Sequence, residues 1–406
     1  MIPVAASVFR ARWLIPAEGP VIEDAALVAE GGRIVRVGTW ASLKAHVGTS
    51  DTVEHFPESA LLPGFVNAHT HLSLSDMRGK FRPTKNFASW IARLAARQQL
   101  RTAARMRRAV ETGARECREA GIVAGADLTA DGQLDDLLGR DGAHWTVFGE
   151  LFLYGEAGLA RLKGAVDAMT LLANAAPVRV GLSPHTPYTV GLEVFMAARR
   201  EADARGWPLS THLHETLDEI AFVERGEGKL HSWLSLLGFL PRDWRPAGVR
   251  PIRMLADAGF FSGPVLVGHA NYVTDDEIAI LAASGSSVAF CPRSHAFFKH
   301  ADHPWRRLLA AGVNVCLGTD SLASCPSLSV LDEAKFLFAQ GGAEPQTLLA
   351  MATRRGARAL GLEDVTGDLR EGLAAEFCVI EPAAGAREPL AAILAGPSAP
   401  VRLLRA

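Results

Sequence analysis

The sequence predicts an α/β protein, a (β/α)8 TIM-like barrel with a small composite β-sandwich domain that the N- and C-terminal segments build together. Three observations lead to this fold class. The chain has 406 residues, which exceeds a typical single domain but suits one barrel plus a smaller unit. Eight short apolar segments alternate with helix-like stretches between residues 65 and 318. Short β-like segments flank this region on both sides.

The eight apolar segments have the composition of parallel strands that are buried on both faces. They are short, rich in Val, Leu, Ile and Ala, and separated by helix-like stretches. Two Thr-x-x-Glu sequences, Thr216–Glu219 and Thr274–Glu277, are capping boxes that start a helix soon after a strand. The predicted strands are Phe65–His71, Ile122–Leu128, Trp145–Phe152, Val178–Ser183, Leu209–His214, Val265–His269, Ser287–Cys291 and Val313–Gly318.

The two ends of the chain carry alternating segments that read as smaller strands. Ala26–Ala29 and Arg33–Val37 are separated by two glycines, and Phe377–Ile380 follows Gly372. Chain termini lie on the surface of a domain and are often close together, so these two ends can pair. We therefore expect a composite β-sandwich domain of residues 1–62 plus 365–406 and a barrel of residues 63–364.

The charge balance excludes several classes of protein. Lys and Arg number 42 against 44 Asp and Glu, a net charge of −2, so no basic field exists to hold nucleic acid or an anionic lipid surface. No apolar run approaches the roughly 20 residues of a membrane helix, and the five cysteines are scattered without a Cys-x-x-Cys pair. We expect a cytoplasmic protein that acts on a small molecule, without a nucleic-acid or membrane partner, and we leave a homodimer open.

The strongest motif is a His-x-His pair, His69 and His71, at the end of the first predicted barrel strand. Side chains two residues apart on a strand point to the same face, so both imidazoles can share one ion at about 2.0–2.1 Å. A pair of hydrogen-bonded histidines without an ion is the alternative interpretation.

Further candidate ligands end three other predicted strands. His212 and Glu215 end the fifth, His269 the sixth and Asp320 the eighth, and catalytic groups of this architecture gather at the carboxyl ends of the strands. Three imidazoles and one carboxylate suit Zn²⁺ or Fe²⁺. His214 shares a face with His212 and competes for the ligand position. We favour His212 because only it has a glutamate three residues later.

Ordered motifs extend over nearly the whole chain. They are Pro63-Gly-Phe-Val-Asn-Ala-His69-Thr-His71, Ser183-Pro-His185-x-Pro-Tyr188, His212-x-x-Glu215, His269, Cys291-Pro and Leu317-Gly-Thr-Asp320. Together they resemble the amidohydrolase superfamily, and within it the branch of cytosine, guanine, S-adenosylhomocysteine and chlorotriazine hydrolases. The resemblance implies one divalent metal ion, zinc first and iron or manganese as alternatives. It also implies the roles of the site residues: His69, His71, His212 and Asp320 bind the metal, Glu215 and Asp320 transfer protons, and His269 steadies the attacking water.

Hydrolytic deamination is the reaction that we expect. A metal-bound water has a pKa lowered toward about 7, so Asp320 can accept its proton and present hydroxide to an amino-bearing ring carbon. Glu215 can protonate a ring nitrogen during the attack, and ammonia then leaves. The expected substrate is an aminated aromatic N-heterocycle, namely a purine, a pyrimidine, a pterin or an aminodeoxyfutalosine-like compound. A chlorohydrolase or cyclic amide hydrolase with the same site is the alternative, and a catalytically silent barrel used as a binding module is a minor one.

A single metal ion is expected because no lysine ends the fourth predicted strand, where His185 stands instead. The carbamylated lysine that bridges two metals in the dihydropyrimidinase and urease branches therefore has no candidate. By the same resemblance, His185 would contact the substrate ring or its leaving group.

Four other residues are candidates for substrate binding. Glu150 ends the third predicted strand, Arg293 and His295 follow the seventh, and Trp90 can either stack on a planar ring or pack in the core. The segment from Cys291 to His300 resembles a subgroup linked to aminodeoxyfutalosine deamination. The segment Asn86–Trp90 lacks the glutamate that nucleoside-deaminating members tend to carry before the tryptophan, which weighs against simple adenosine-type substrates.

A stripe of arginines follows this tryptophan. Arg93, Arg97, Arg101 and Arg105 recur every four residues, which stacks like charges on one face of the predicted helix. Such a stripe requires an anionic partner or solvent. One interpretation is a solvated face or a subunit interface with acidic neighbours, and the other is a carboxylate or phosphate on the substrate.

Overall fold

The computed structural model describes residues 6–129, 137–140, 142–397 and 401–406. Contacts within the chain define two units. The first contains Met1–Ala68, Arg115–Ala124 and Ser329–Ala406, and the second contains His69–Ala114 and Gly125–Leu328. The residues assigned to the candidate site by sequence all fall in the second unit.

Fourteen strands are present in the described residues. They are β1 (Ser7–Leu14), β2 (Ile22–Glu30), β3 (Arg33–Thr39), β4 (Thr52–Pro63), β5 (Phe65–Thr70), β6 (Ile122–Thr129), β7 (His144–Leu151), β8 (Arg179–Pro184), β9 (Ser210–Leu213), β10 (Leu266–His269), β11 (Ser287–Phe290), β12 (Asn314–Leu317), β13 (Glu376–Ile380) and β14 (Arg402–Arg405). Each of the eight predicted barrel strands overlaps one of β5 to β12.

Fifteen α-helices accompany these strands in the described part of the chain. They are α1 (Trp40–Leu43), α2 (Phe87–Gln99), α3 (Ala103–Glu119), α4 (Gly155–Ala175), α5 (Leu192–Arg205), α6 (Leu217–Arg225), α7 (Gly228–Leu236), α8 (Pro251–Asp257), α9 (Asp275–Ala283), α10 (Pro292–Phe297), α11 (Trp305–Ala310), α12 (Val330–Ala339), α13 (Pro345–Ala352), α14 (Arg354–Ala359) and α15 (Pro389–Ala395). Short 3-10 helices cover Lys44–His46 and Leu72–Met77. None of the described helices is long and apolar enough to cross a membrane.

The first unit contains one six-stranded mixed sheet with the order β14-β13-β4-β1-β2-β3. Its strands come from both ends of the chain, as the sequence predicted, but the prediction of a sandwich was not met among the described residues. The reason is the position of β4, which pairs with β1 in parallel between Thr52 and Leu61 and with β13 in the antiparallel sense between Ala60 and Pro63. One long strand therefore joins both chain ends into a continuous sheet.

Alternation along the strands gives this sheet two apolar faces. Phe9, Leu27, Leu61 and Phe377 pack on one face, where the rings of Phe9 and Phe377 meet at 4.9 Å. Val8 and Val28 point the other way and pack with Leu43 of α1. The period of two along a strand thus explains why both faces are buried.

The second unit carries the ends of the strands that bear the candidate site. The strands lie in two four-stranded sheets, ordered β5-β6-β7-β8 and β9-β10-β11-β12. The strands β9 to β12 are parallel, as are β7 and β8. Single parallel bridges link Leu182 to Leu209 and Thr70 to Asp320. Because the strands run in parallel, their carboxyl ends open to the same side.

The helix that was expected to carry the arginine stripe is in fact two helices. α2 ends at Gln99 and α3 begins at Ala103, so Arg101 lies between them. The Arg101 side chain is only 2% exposed and its guanidinium contacts Asp76 Oδ1 at 3.0 Å, while Arg105 Nε donates a hydrogen bond to Asp76 Oδ2 at 2.6 Å. An acidic neighbour therefore relieves the repulsion between two of the four arginines, and Arg97 lies over the ring of Phe81.

Candidate metal and catalytic site

Three histidines meet at the carboxyl ends of β5 and β9. His69, His71 and His212 each offer a ring nitrogen, and these atoms lie within 4.8 Å of one another. The Nε2 atoms of His71 and His212 are 3.3 Å apart. Two nitrogens that bind one tetrahedral ion at 2.0–2.1 Å are separated by about 3.3–3.4 Å. The spacing of these two nitrogens therefore suits a shared ion.

Two glycines make room for the innermost histidine. A Cβ at Gly268 would lie 2.9 Å from His69 Cε1, and one at Gly318 would lie 2.7 Å from His69 Cβ. Any larger residue at either position would displace the imidazole. Gly268 on β10 and Gly318 directly after β12 therefore both leave space for His69, which lies on β5.

Asp320 supplies the carboxylate beside the histidines. Its Oδ1 lies 3.7 Å from His71 Nε2. Its Oδ2 accepts hydrogen bonds from the hydroxyls of Ser294, at 2.7 Å, and Ser324, at 2.8 Å. Asp320 Oδ2 is the nearest acceptor of both hydroxyls, since the alternatives lie farther away, at 3.0 Å for Ser294 and 3.3 Å for Ser324, so both serines orient this carboxylate. One oxygen is thus held, and the other faces the histidines.

Glu215 and His269 lie on the other side of the cluster. His269 Nε2 is 3.8 Å from Glu215 Oε1. The backbone of Glu215 is held at both polar groups, since its N–H donates to Glu219 Oε2 and its carbonyl accepts from Asn271 Nδ2, each at 2.9 Å. Thr216 caps α6 as predicted, but the Glu219 carboxylate binds the N–H groups of His214 and Glu215 instead of closing the box.

Burial sets the protonation of these groups. It raises the pKa of Glu215 well above its usual range, with Asp320 and then Glu219 adding to the shift. It lowers the pKa of His69 and His212 far below 6.5, helped by the neighbouring imidazoles. Burial also lowers the pKa of His269 to about 4, although Asp320 opposes this effect. Burial therefore favours the neutral imidazoles of His69, His212 and His269 and the protonated form of Glu215.

His214 points away from the cluster, which separates the two histidines that the sequence left in competition. Its ring is fully buried, with Nε2 3.5 Å from Glu277 Oε1 and Nδ1 3.4 Å from the Arg250 guanidinium. Its backbone φ of 54° lies in the left-handed region, so the alternation of side chains breaks at this residue. His212 alone of the pair reaches His71.

A cavity of about 460 Å³ opens onto this cluster. Glu150 and His185 line it beside His71, His212, Glu215, His269 and Asp320. Its outer wall is largely apolar and includes Phe87, Trp90, Leu94, Trp233, Leu234 and Phe239. Trp90 is 4% exposed and packs edge-on against Phe298 at 4.9 Å, so it belongs to the core and to the cavity wall at once.

Two predicted substrate contacts do not line this cavity. The Arg293 guanidinium binds the hydroxyl and carbonyl oxygens of Ser327, each at 2.9 Å. His295 packs among Phe290, His300 and His303. The structure therefore brings Glu150, His185 and Trp90 to the cavity and places Arg293 and His295 behind it, because α10 begins directly after β11 and turns these side chains outward.

Several supporting residues were not assigned a role from sequence. They are Ser294 and Ser324 on Asp320, Glu219 and Asn271 on Glu215, and His303, whose Nε2–H donates to the His269 carbonyl at 2.7 Å. Glu219 belongs to the predicted capping box Thr216–Glu219, so its closeness to Glu215 in sequence was the available signal. Ser324 and His303 carry no local signal, since their partners are distant in sequence.

The chain belongs to the Amidohydrolase family, whose match extends over residues 60–399. An aminodeoxyfutalosine deaminase from Deinococcus radiodurans is 28% identical over 354 residues, covering 81% of each chain. A 5-methylthioadenosine/S-adenosylhomocysteine deaminase from Moorella thermoacetica is 28% identical over 397 residues, covering 91% of this chain and 84% of the relative. An adenosine deaminase from Xanthomonas campestris with bound zinc has the same fold, with a TM-score of 0.82 at 23% identity over 97% of this chain and 90% of that one. The predicted family is confirmed, and the relatives perform the class of reaction expected from the sequence.

Proposed function

We propose that this chain is a metal-dependent hydrolytic deaminase of an aminated purine nucleoside. The observation that carries the proposal is the convergence of His69, His71 and His212 with Asp320, Glu215 and His269 at the base of one cavity. The deaminases among the relatives support the reaction and the adenosine-type substrate. They also weigh against the inference drawn from the missing glutamate before Trp90.

The residues present fit a divalent metal ion. His69, His71, His212 and Asp320 would hold it, because burial lowers the pKa of His69 and His212 and so favours their neutral imidazoles, and the carboxylate adds a hard oxygen ligand. Zinc is the first choice, since the Xanthomonas campestris neighbour contains it, and iron or manganese accepts the same ligands. The ion would supply Lewis acidity that makes water a nucleophile at neutral pH.

The side chains divide the proton transfers between them. Asp320, held by Ser294 and Ser324, accepts a proton from the attacking water. Glu215 retains its own proton through burial and donates it to a ring nitrogen of the substrate. The neutral His269, 3.8 Å from Glu215, holds the water that attacks the amino-bearing carbon. The amino group then takes the water proton from Asp320 and leaves as ammonia, while the proton from Glu215 stays on the ring nitrogen and the hydroxyl on the ring carbon returns its proton to Glu215 as the carbonyl forms.

The cavity determines how the substrate lies. Its base carries Glu150 and His185, which we assign to hydrogen bonds with the ring, and its outer wall packs against the part of the substrate farther from the reacting carbon. We assign the closed eight-stranded barrel to residues 63–364 and the composite β domain to residues 1–62 plus 365–406. The bridges at Thr70–Asp320 and Leu182–Leu209 support barrel closure.

Ammonia release from metal-analysed protein tests the proposal. The panel contains adenosine, 5'-deoxyadenosine, 5-methylthioadenosine, S-adenosylhomocysteine and aminodeoxyfutalosine, with aminopyrimidines and pterins for comparison. We expect release from at least one adenosine-type compound, dependent on about one metal ion per chain. Glu215→Gln keeps the shape but lacks the acid, so it should reduce kcat at least about 100-fold. Silence of the metal-loaded protein on the whole panel, followed by turnover of a chlorinated or cyclic amide compound, would contradict deamination.

A further inference from the structure

A second set of metal-binding atoms lies on the cavity side of the three-histidine cluster. Glu150, at the end of β7, and His185, directly after β8, each offer one donor atom, and these atoms and one from His212 lie within 4.8 Å of one another. The three residues follow neighbouring strands, so the fold holds them at fixed spacing. Both Glu150 and His185 face the cavity.

Glu150 has an oxygen that no described residue satisfies. The side chain is buried, and Oε1 lacks a hydrogen-bond partner within the described residues. The other oxygen, Oε2, is 4.0 Å from His71 Nδ1, which is too far for a hydrogen bond. A buried carboxyl group without partners is costly unless a ligand satisfies it.

His185 has one ring nitrogen engaged by the protein and a second that is left for a ligand. Its Nδ1 is 2.8 Å from the Thr189 hydroxyl oxygen, and the hydroxyl and carbonyl oxygens of Thr186 lie 3.1 and 3.2 Å from that same hydroxyl. With Nδ1 held by Thr189, Nε2 is the nitrogen left to meet a metal ion, which it binds in the tautomer that carries its proton on Nδ1.

The cavity presents no positive side chain to a second cation. Three carboxyl groups line it, on Glu150, Glu215 and Asp320, and its described lining contains neither lysine nor arginine. His212 is directed at the first site by the 3.3 Å contact with His71, so a second ion would find two protein ligands, Glu150 and His185, with water completing its shell.

We propose that Glu150 and His185 form a second, weaker divalent-cation site, and that an ion bound there inhibits the enzyme by occupying the substrate's place. The inhibition rests on the proposed function, since it assumes that substrate enters this cavity. The cation binding does not rest on it. Two protein ligands give weaker binding than the three histidines and the carboxylate of the first site.

Equilibrium dialysis of Zn²⁺ against the protein carrying its one tightly bound ion tests the binding. We expect one further, weaker zinc ion per chain, with an affinity that falls at least about 10-fold in Glu150→Gln and in His185→Asn. Glu156→Gln, on the exposed first turn of α4, is the matched control and should bind as the wild type does. Retention of the tight ion and of the circular dichroism spectrum shows that each variant is folded.

Initial rates of ammonia release at rising free zinc test the inhibition. We expect the apparent KM to rise with zinc while kcat stays constant, and we expect this dependence to weaken about 10-fold in whichever of the two variants retains measurable turnover. Absence of the second zinc ion in dialysis, or equal affinity in Glu150→Gln and the control, overturns the site itself. Binding without competition against substrate overturns only the inhibitory role. Protein that binds the second ion but deaminates nothing contradicts the proposed function and leaves the cation site standing.

Discussion

The two serines that hold Asp320 offer a sharp test of the proton transfers. Ser294 and Ser324 donate to the same oxygen, Oδ2, at 2.7 and 2.8 Å. Neither hydroxyl touches the three histidines or lines the cavity. Replacing either serine with alanine therefore leaves the proposed metal ligands in place and changes only how firmly the carboxylate is held.

The structure sets the size of the effect. A hydrogen bond to a charged group contributes about 1.5–3 kcal/mol, and about 1.4 kcal/mol corresponds to a tenfold change in rate. The remaining serine still holds Oδ2 in each single variant, so we expect the lower end, a loss of about 10-fold in kcat for Ser294→Ala or Ser324→Ala. The double variant should lose about 100-fold. The KM should change little because neither hydroxyl contacts the substrate.

Steady-state ammonia release gives kcat and KM, and metal analysis of the same samples shows whether the ion is retained. Ser232→Ala is a matched control, because Ser232 also loses a hydrogen bond, to the Gly228 carbonyl at 3.2 Å, but on an exposed surface. It should behave as the wild type does. A double variant with full metal content and a kcat within twofold of wild type would refute the role given to the two hydroxyls.

Three further predictions follow from other contacts. His69→Ala should reduce the bound metal to near zero and abolish turnover while the circular dichroism spectrum is preserved, because the proposed function assigns His69 as a ligand; full metal content in the variant would contradict the proposed ligand set. Asp76→Asn should lower the free energy of unfolding by about 1–3 kcal/mol, since it leaves the buried Arg101 guanidinium without its carboxylate; an unchanged denaturation midpoint would show that the pair is not stabilising. Burial lowers the pKa of His303 to about 3, so the unfolded chain takes up a proton on this residue below about pH 6.5 and the folded chain does not. Stability is therefore lost as the pH falls from 6.5, by at most about 1.4 kcal/mol per pH unit from this group, and the melting temperature of His303→Gln should decline less between pH 7.0 and 5.5 than that of the wild type.

The fold was largely predictable because its signals are local. The segment Val265–His269 is short, apolar and ends on a polar residue, and the observed strand β10 differs from the prediction by one residue. The His-x-His spacing likewise places two candidate ligands together at one strand end. The single mixed sheet was not predictable in this way, because β4 pairs with β1 and with β13, two strands that are hundreds of residues apart in sequence.

The residues of the candidate site also differ in whether a local sequence signal predicts their position. Residues at strand ends were found from sequence because a strand end is recognisable, and Glu150 and His185 reached the cavity for that reason. The position of Arg293 was misjudged because α10 starts immediately after β11, and helical geometry turns its side chain toward Ser327. The break between α2 and α3 was not predicted, because the arginines keep a four-residue spacing through Arg101. The backbone is not helical at Arg101, so the sequence pattern gave no sign of the break.

Backbone strain explains why the supporting residues matter as much as the groups they hold. His214, His269 and Asp320 have φ values of 54°, 70° and 58°, and a left-handed conformation costs a non-glycine residue about 1–2 kcal/mol. Each of these residues is held by a specific bond: the His214 N–H by Glu219, the His269 carbonyl by His303, and the Asp320 N–H by the His69 carbonyl. The strain turns the chain sharply at the strand end, which aims His269 and Asp320 inward and His214 away. Loss of Glu219 or His303 would allow the turn to relax, so catalysis should depend on residues that never touch the substrate.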